Sequence, residues 1–200
     1  MSNEVIAAII VAVATVAAAL VGVMWSKRRA AEPEAVSSSP EARSRKRHRF
    51  DVFVSAPLAA LKNDEEILAD HERIVPVVAL LEGQLGFAVY WSGRNIRCKA
   101  DFSAADLSAK NDVAAILDSK YFLLLYPERI ASSVLFEAGI ALRSCLTSIY
   151  FVRDQGHLPF LMIQASQAFS NVRTYTGTLP QDLVALLQKH GRSFFDPLHE

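Results

Sequence analysis

The chain has 200 residues, its 21 Lys and Arg balance 21 Asp and Glu, and 52% of its residues are hydrophobic. This length allows one domain of ordinary size with appendages, and the apolar content excludes a chain that is mainly disordered. The two cysteines, Cys98 and Cys145, are too few for a disulfide scaffold and have no His or Cys at metal-ligand spacing, so the sequence predicts no metal site.

Residues 1–25 predict a transmembrane helix. Residues 5–25 contain no charged residue and no proline, and as a helix they would span about 31 Å, close to the thickness of a bilayer core. A cleaved signal peptide is the competing interpretation, but it would need basic residues before the apolar stretch. The basic residues 27–29 follow it instead, so the positive-inside rule predicts a single-pass membrane protein with its N-terminus outside and the rest of the chain in the cytoplasm.

Residues 26–49 predict a flexible basic linker. The segment is rich in Pro, Ser and Ala, has no apolar period, and carries eight Lys and Arg against three Glu. Such a cluster beside an anchor suits anionic lipid headgroups. A nucleic-acid patch is the alternative interpretation, but one short cluster next to a membrane span favours lipid, so we expect no nucleic-acid partner.

Residues 50–200 predict one α/β domain. Apolar and β-branched runs predict strands at 51–55, 87–91, 121–126, 148–152 and 172–175. Helical patterns lie at 64–84, 104–117, 133–143, 158–169 and 180–190. Asn63 and Glu66 predict an N-terminal cap for the first helix, and Pro76 predicts a kink or a break within it. The β-α alternation predicts a doubly wound, five-stranded parallel sheet with both faces covered.

In such folds the ligand lies at the carboxyl ends of the strands, where polar and aromatic residues follow each predicted strand. The candidate substrate-binding residues at these ends are Ser55, Ala56, Pro57, Trp91, Arg94, Ser132 and Ser133. Trp91 would stack on a base or pack in the core, and Arg94 would meet a phosphate or form a loop salt bridge. The two serines would bind a ribose, orient a catalytic group or cap a helix.

Glu137 is the candidate catalytic residue. It follows three apolar residues at the start of a predicted helix and precedes Ala138 and Gly139, so it must be paired, protonated or functional. Ser133 lies four residues earlier on the same helical face. The alternative interpretation is favourable interaction of a carboxylate with the positive end of the helix dipole.

The ordered motifs of residues 50–152 resemble Toll/interleukin-1 receptor (TIR) domains. Residues 50–55 (FDVFVS) are similar to their first box, 86–90 (GFAVY) and 93–96 (GRNI) to their second strand and loop, and 122–126 (FLLLY) to their third strand. The resemblance implies a flavodoxin-like sheet. In enzymatic members a Glu on the third helix is needed to cleave the nicotinamide–ribose bond of NAD, and Glu137 occupies that position. The chain has Ser133 where the family usually has a Trp.

The same residues are also similar to nucleoside deoxyribosyltransferases. Residues 53–58 (FVSAPL) resemble the opening strand of those enzymes, and residues 132–141 (SSVLFEAGIA) resemble the segment that carries their catalytic Glu. Both families place a Glu at the anomeric carbon of a ribose. The two resemblances together therefore imply N-glycosidic chemistry or nucleotide binding.

Three functional hypotheses follow. The first is a membrane-anchored TIR-like enzyme that cleaves NAD or a related nucleotide with Glu137, needs no cofactor, and works on self-assembly or with other TIR-like domains in a defence or stress response. The second is a non-catalytic module that binds a nucleotide or another protein. The third is an enzyme that resembles nucleoside deoxyribosyltransferases and acts on a nucleoside or nucleotide.

Overall fold

A computed structural model describes residues 48–196 of the chain. The predicted anchor at residues 5–25 and most of the predicted linker lie outside the described residues, so both stay predictions. Between residues 48 and 196, no helix is both long and apolar enough to cross a membrane.

Strands and α-helices alternate through the described part of the chain, joined by short loops and single 3₁₀ turns. In order they are β1 (Phe50–Ser55), α1 (Asp64–Gly83), β2 (Val89–Trp91), α2 (Ala105–Leu117), β3 (Ser119–Tyr126), α3 (Val134–Arg143), β4 (Thr147–Val152), α4 (Phe160–Ala168), β5 (Val172–Thr176) and α5 (Gln181–His190). The predicted alternation is thus confirmed, with boundaries that differ by one or two residues at most ends.

The strands form one parallel sheet in the order β2-β1-β3-β4-β5. β1 pairs with β2 on one side and with β3 on the other, so that Val54 lies beside both Trp91 and Leu123. This arrangement confirms the predicted doubly wound α/β sheet. Successive crossovers leave β1 in opposite directions, which opens a crevice at the carboxyl ends of β1 and β3.

The alternation of side chains along the strands divides the core between the two faces of the sheet. Val52 and Val54 of β1 pack with Leu123 against α1 and α5. Phe53, between them in sequence, packs on the opposite face with Phe122 against α2 and α3. Both faces of the central strands are therefore dry, as a parallel sheet requires.

The N-terminus of α1 is capped as predicted, and the helix runs through Pro76 without a break. The side chain of Asn63 accepts a hydrogen bond of 2.8 Å from the backbone amide of Glu66. Residues after the proline, Val77 and Val78, are buried in the core. Burial of this second half outweighs the one backbone hydrogen bond that a proline removes, so the predicted division of the helix does not occur.

Strand β2 is shorter than predicted because residues 87–88 belong to the preceding turn. Gly86 has a positive φ of 64°, and the backbone amide of Phe87 donates back to the carbonyl of Leu81 at the end of α1. The side chain of Asp51 accepts a hydrogen bond of 2.8 Å from the amide of Ala88. The amides of these two residues therefore bond to the helix and to a side chain, while the carbonyl of Ala88 still accepts from the β1 backbone at Asp51.

Candidate active site

Glu137 lies in the first turn of α3 and faces the sheet. Its neighbours on this helix face are Val134, Ala138 and Ala141, which are all buried, and Glu137 itself is only 9% exposed. The spacing of these residues places them on one side of a helix that packs over β3 and β4. A carboxylate in such a setting needs hydrogen bonds or a proton, because burial without either is costly.

Ser55 supplies one of these hydrogen bonds. It is the last residue of β1, and its hydroxyl donates to Glu137 Oε2 at 2.6 Å. Strand alternation puts Ser55 on the same face of the sheet as Phe53, and hence under α3. The two residues are 82 positions apart in sequence, and they meet because the carboxyl end of β1 lies beside the loop from β3 to α3.

The surroundings of Glu137 hold its side chain near the midpoint of its titration at neutral pH. Burial raises the pKa of Glu137 from its ordinary value to about 7. The hydrogen bond from Ser55, and a weaker one from Ser133, favour the charged form and oppose this rise. The negative charge of Asp112 acts in the same direction as burial. A carboxyl group tuned in this way can act as an anion or as an acid.

Tyr90 and Asp112 are two further polar residues on this face, and both are absent from the sequence-based candidates. The hydroxyl of Tyr90 in β2 donates a hydrogen bond of 3.0 Å to Asp112 Oδ1 in α2. Burial raises the pKa of Asp112, while the bond from Tyr90 lowers it. Burial and the charge of Asp112 raise the pKa of Tyr90, so its phenol keeps its proton at neutral pH.

The sequence around Asp112 does contain a signal, namely its spacing from apolar residues of the same helix. Ala115 and Ile116, three and four residues later, are buried against the sheet. Asp112 therefore continues the apolar face of α2, where an acidic residue is as unusual as Glu137 is in α3.

Trp91 is not brought to this cluster. Its side chain is 5% exposed and belongs to the core on the α1 face of the sheet, opposite to Glu137. The indole packs against the buried ring of His71, with 4.8 Å between ring centroids. A Cβ on Gly93 would lie only 2.7 Å from Trp91 Nε1, so the loop closes tightly over the indole. The core interpretation of Trp91 therefore fits its placement, and stacking on a base beside Glu137 does not.

Arg94 is likewise placed as a structural residue. Its guanidinium forms two hydrogen bonds with Glu82 near the end of α1, at 2.7 Å and 3.1 Å. A third bond of 3.3 Å reaches the carbonyl of Val89. The salt-bridge interpretation therefore accounts for this side chain, whereas the phosphate interpretation would require it to leave these partners.

The remaining candidates surround the crevice at the carboxyl edge. Ala56 is partly buried, and Pro57 lines a cavity of about 460 Å³ that extends along α1 to Asp70. Ser133 is exposed at the start of α3. The hydroxyl of Ser132 is buried and has no hydrogen-bond partner among the described residues. Ser133 thus lies one helical turn before Glu137, and Ser132 contributes a buried hydroxyl with no partner in the described part of the chain.

The side-chain chemistry at this site does not include a metal centre. Within residues 48–196, no three His, Cys, Asp or Glu side chains are grouped so that they could hold a metal ion. The free thiols Cys98 and Cys145 lie outside the Glu137 cluster in the fold, one partly buried and the other exposed.

The cluster as a whole can perform nucleophilic or general acid–base chemistry. A carboxylate oriented by a serine hydroxyl can attack or stabilise a carbon that develops positive charge. The second carboxyl, Asp112, has a phenol donor and a raised pKa, and it can exchange a proton with a leaving group.

Comparisons with known proteins identify the fold and leave the family open. No family model matches the chain, and no curated protein matches it. Among solved structures, the CMP N-glycosidase BcmB from Clostridium botulinum has the same fold, with a TM-score of 0.53 and 19% sequence identity. The match covers 70% of this chain and 98% of that one. The predicted resemblance to TIR domains gains no support from these comparisons.

Proposed function

We propose that this chain hydrolyses the N-glycosidic bond of a nucleotide, with the carboxylate of Glu137 acting on the anomeric carbon of the ribose. The observation that carries the proposal is the buried Ser55–Glu137 hydrogen bond of 2.6 Å at the carboxyl edge of the sheet. The fold shared with a CMP N-glycosidase supports the same chemistry. This proposal is nearer to the transferase-like hypothesis than to cleavage of NAD by a TIR domain.

In the first chemical step, an oxygen of ionised Glu137 forms a bond to the anomeric carbon. The bond from that carbon to the base nitrogen breaks, and its electron pair leaves with the base. The transition state resembles an oxocarbenium ion, so a carboxylate shielded from water stabilises it strongly. The hydroxyl of Ser55 holds the attacking carboxylate in place and keeps part of it ionised at neutral pH.

In the second step, water attacks the anomeric carbon and the bond to Glu137 breaks. The free sugar phosphate leaves with the new hydroxyl, and the proton that the water loses passes to the carboxylate of Asp112, which gave its own proton to the base in the first step. Asp112 is the second carboxyl of the site, and we assign it the role of proton donor to the base, because burial raises its pKa. Tyr90 orients Asp112 through its hydrogen bond.

The substrate range follows from the comparison and from the sequence resemblance. Cytidine monophosphate is the first substrate to test, because the similar structure is described as a CMP N-glycosidase. NAD is the second, because Glu137 matches the position of the catalytic Glu in TIR enzymes. The buried hydroxyl of Ser132, which lacks a partner among the described residues, is a candidate donor to an oxygen of either substrate.

The test is a direct assay of base release by the full-length protein in mild detergent. CMP, the other ribonucleoside monophosphates and NAD would be incubated separately, and the free base would be measured by chromatography. We expect release from at least one nucleotide, and loss of release in Glu137→Gln. Glu72→Gln is the matched control, because Glu72 is an exposed carboxylate on α1.

Two outcomes would contradict the proposal. One is the absence of base release from every nucleotide by a folded protein. The other is base release that persists unchanged in Glu137→Gln. Exchange of one base for another on the same sugar, measured with two nucleosides and no release in water alone, would identify a transferase instead.

A further inference from the structure

Helix α3 is apolar on its outer face as well as on the face that carries Glu137. Phe136, Gly139, Ile140 and Arg143 follow the i, i+3, i+4, i+7 spacing of one helical stripe. Phe136 is 68% exposed, which places this stripe away from the sheet. A helix that is apolar all round is normally covered on both sides. Among the described residues, however, Phe136 and Gly139 stay exposed, and Ile140 is only partly buried.

The outer stripe forms one wall of a groove, which we call the α3 groove. It is lined by Leu117, Leu135, Phe136, Gly139 and Ile140, with Arg143 at one end, and encloses about 530 Å³. All of its lining residues but Arg143 and the adjacent Ser144 are apolar. An exposed apolar surface of this kind marks a site of association.

Packing among residues 48–196 does not require a glycine at position 139. A Cβ built on this residue would meet no atom within 4 Å, and its φ is not in the left-handed region. Glycine within a helix lowers helix stability relative to alanine. The bare backbone at Gly139 is therefore best explained by close approach of something outside the described residues.

We propose that the α3 groove is the contact between two copies of this chain, related by a twofold axis. The projecting ring of Phe136 and the notch at Gly139 lie three residues apart on one surface, roughly 4.5 Å along the helix. An antiparallel crossing of two α3 helices about a twofold axis would place Phe136 of each copy over Gly139 of the other. The same axis would bring Leu135 against Ile140.

The self-complementary pattern favours a second copy over other occupants. In an isologous interface the same patch must contain both the projection and the notch, and the α3 groove contains both. The two copies of Arg143, the charged residue of the groove, would lie at opposite ends of the contact, so their positive charges would stay apart. Any other occupant would have to supply both complementary features from an unrelated surface.

Photocrosslinking of the full-length protein in detergent tests this contact. Phe136 would be replaced with p-benzoylphenylalanine, which keeps an aromatic ring at the position, and isotopically heavy and light copies would be mixed. We expect crosslinks between a heavy and a light chain, mapped by mass spectrometry to residues 135–140 of the other copy. The same replacement at Phe160, an apolar side chain of similar exposure (72%) on α4, is the matched control.

A second variant separates the contact from the folding of the chain. Gly139→Leu fills the notch, and its Cβ would meet no atom of the described residues within 4 Å. It should reduce the inter-copy crosslink from Phe136 at least tenfold and, because it replaces a helical glycine, leave the thermal unfolding temperature unchanged or higher. Crosslinks from Phe136 to residues 5–25, to another protein or to no chain would overturn the proposal. Inter-copy crosslinks that survive Gly139→Leu would overturn it as well. These outcomes do not depend on base release, so the test stands apart from the proposed activity.

Discussion

The hydroxyl of Ser55, at the end of β1, donates a 2.6 Å hydrogen bond to Glu137 Oε2, in the first turn of α3. This contact joins the carboxyl end of β1 to α3. It favours the charged form of Glu137, whereas burial favours the neutral form. The pair thus links the topology of the sheet to the ionisation of the proposed nucleophile, and it leads to the following predictions.

Ser55→Ala should shift the pH dependence of base release. The proposed reaction needs ionised Glu137, so its rate should rise with pH through the pKa of about 7. Loss of a hydrogen bond to the charged form raises that pKa, and the rising limb of the profile should move to higher pH by about one unit. Ser119→Ala is the control, because Ser119 is a buried serine that donates to the carbonyl of Ala115 instead. A profile of Ser55→Ala that coincides with the wild type would contradict the assigned role.

Asp112→Asn should move the same limb in the opposite direction. Ionised Asp112 raises the pKa of Glu137, so removal of its charge lowers that pKa and shifts the limb to lower pH. The same substitution removes the protonated form, which is the proposed donor to the leaving base, so the plateau rate should fall by about 100-fold. Tyr90→Phe should reduce the rate less, since it removes only the bond that orients Asp112. If the pH–rate profile of Asp112→Asn keeps its plateau rate and only its rising limb shifts, Asp112 acts through its charge and does not protonate the base.

The free energy of unfolding should decrease between about pH 4.5 and pH 7 because of Glu137. The group has a pKa near 4.5 when unfolded and about 7 when folded. Between these values the folded state keeps a proton that the unfolded state loses, so rising pH favours unfolding, by about 3 kcal/mol at most. Glu137→Gln stays neutral in both states, so chemical denaturation at pH 5 and pH 8 should show a smaller difference than in the wild type. Equal differences in the two proteins would show that Glu137 has an ordinary pKa.

Substitutions on the α1 face should affect stability and leave the chemistry intact. Trp91→Ala should cost about 3–5 kcal/mol of unfolding free energy, because it removes a buried indole from the core. Arg94→Ala should cost less than about 1 kcal/mol, since its ion pair with Glu82 is partly exposed to solvent. Base release per folded molecule should stay within about twofold of the wild type in Trp91→Phe and Arg94→Ala. A large loss of activity in either variant would show that the substituted residue takes part in substrate binding or catalysis.

Most of the fold could be predicted because its determinants are local. Runs such as 121–126 are apolar over their whole length, which is typical of a strand buried on both faces, and the cap at Asn63 is a contact between close neighbours in sequence. Strand order depends on contacts between distant residues and was not predictable from periodicity. The absence of a break at Pro76 has the same origin, because burial of Val77 and Val78 outweighs a local preference.

The site was predictable only in part, because the face of the sheet on which a side chain lies depends on the tertiary structure. Glu137 and Ser55 were found because each carries a polar group next to an apolar run. Trp91 was assigned to the ligand because it ends a strand, but one residue of register decides which face it occupies. Asp112 was not predicted, because it lies in the middle of a helix and not at the end of a strand.

The sheet order also has a consequence for how the chain is made. β1 is made before the other strands, but its longer pairing is with β3, where five of its residues find partners. About sixty residues separate the two strands, so at ordinary rates of translation β1 waits on the order of ten seconds for that neighbour. During this interval the FDVFVS segment has at most the three-residue strand β2 beside it. The newborn chain should therefore depend on chaperones that shield β1, and slowed translation between β1 and β3 should increase its aggregation.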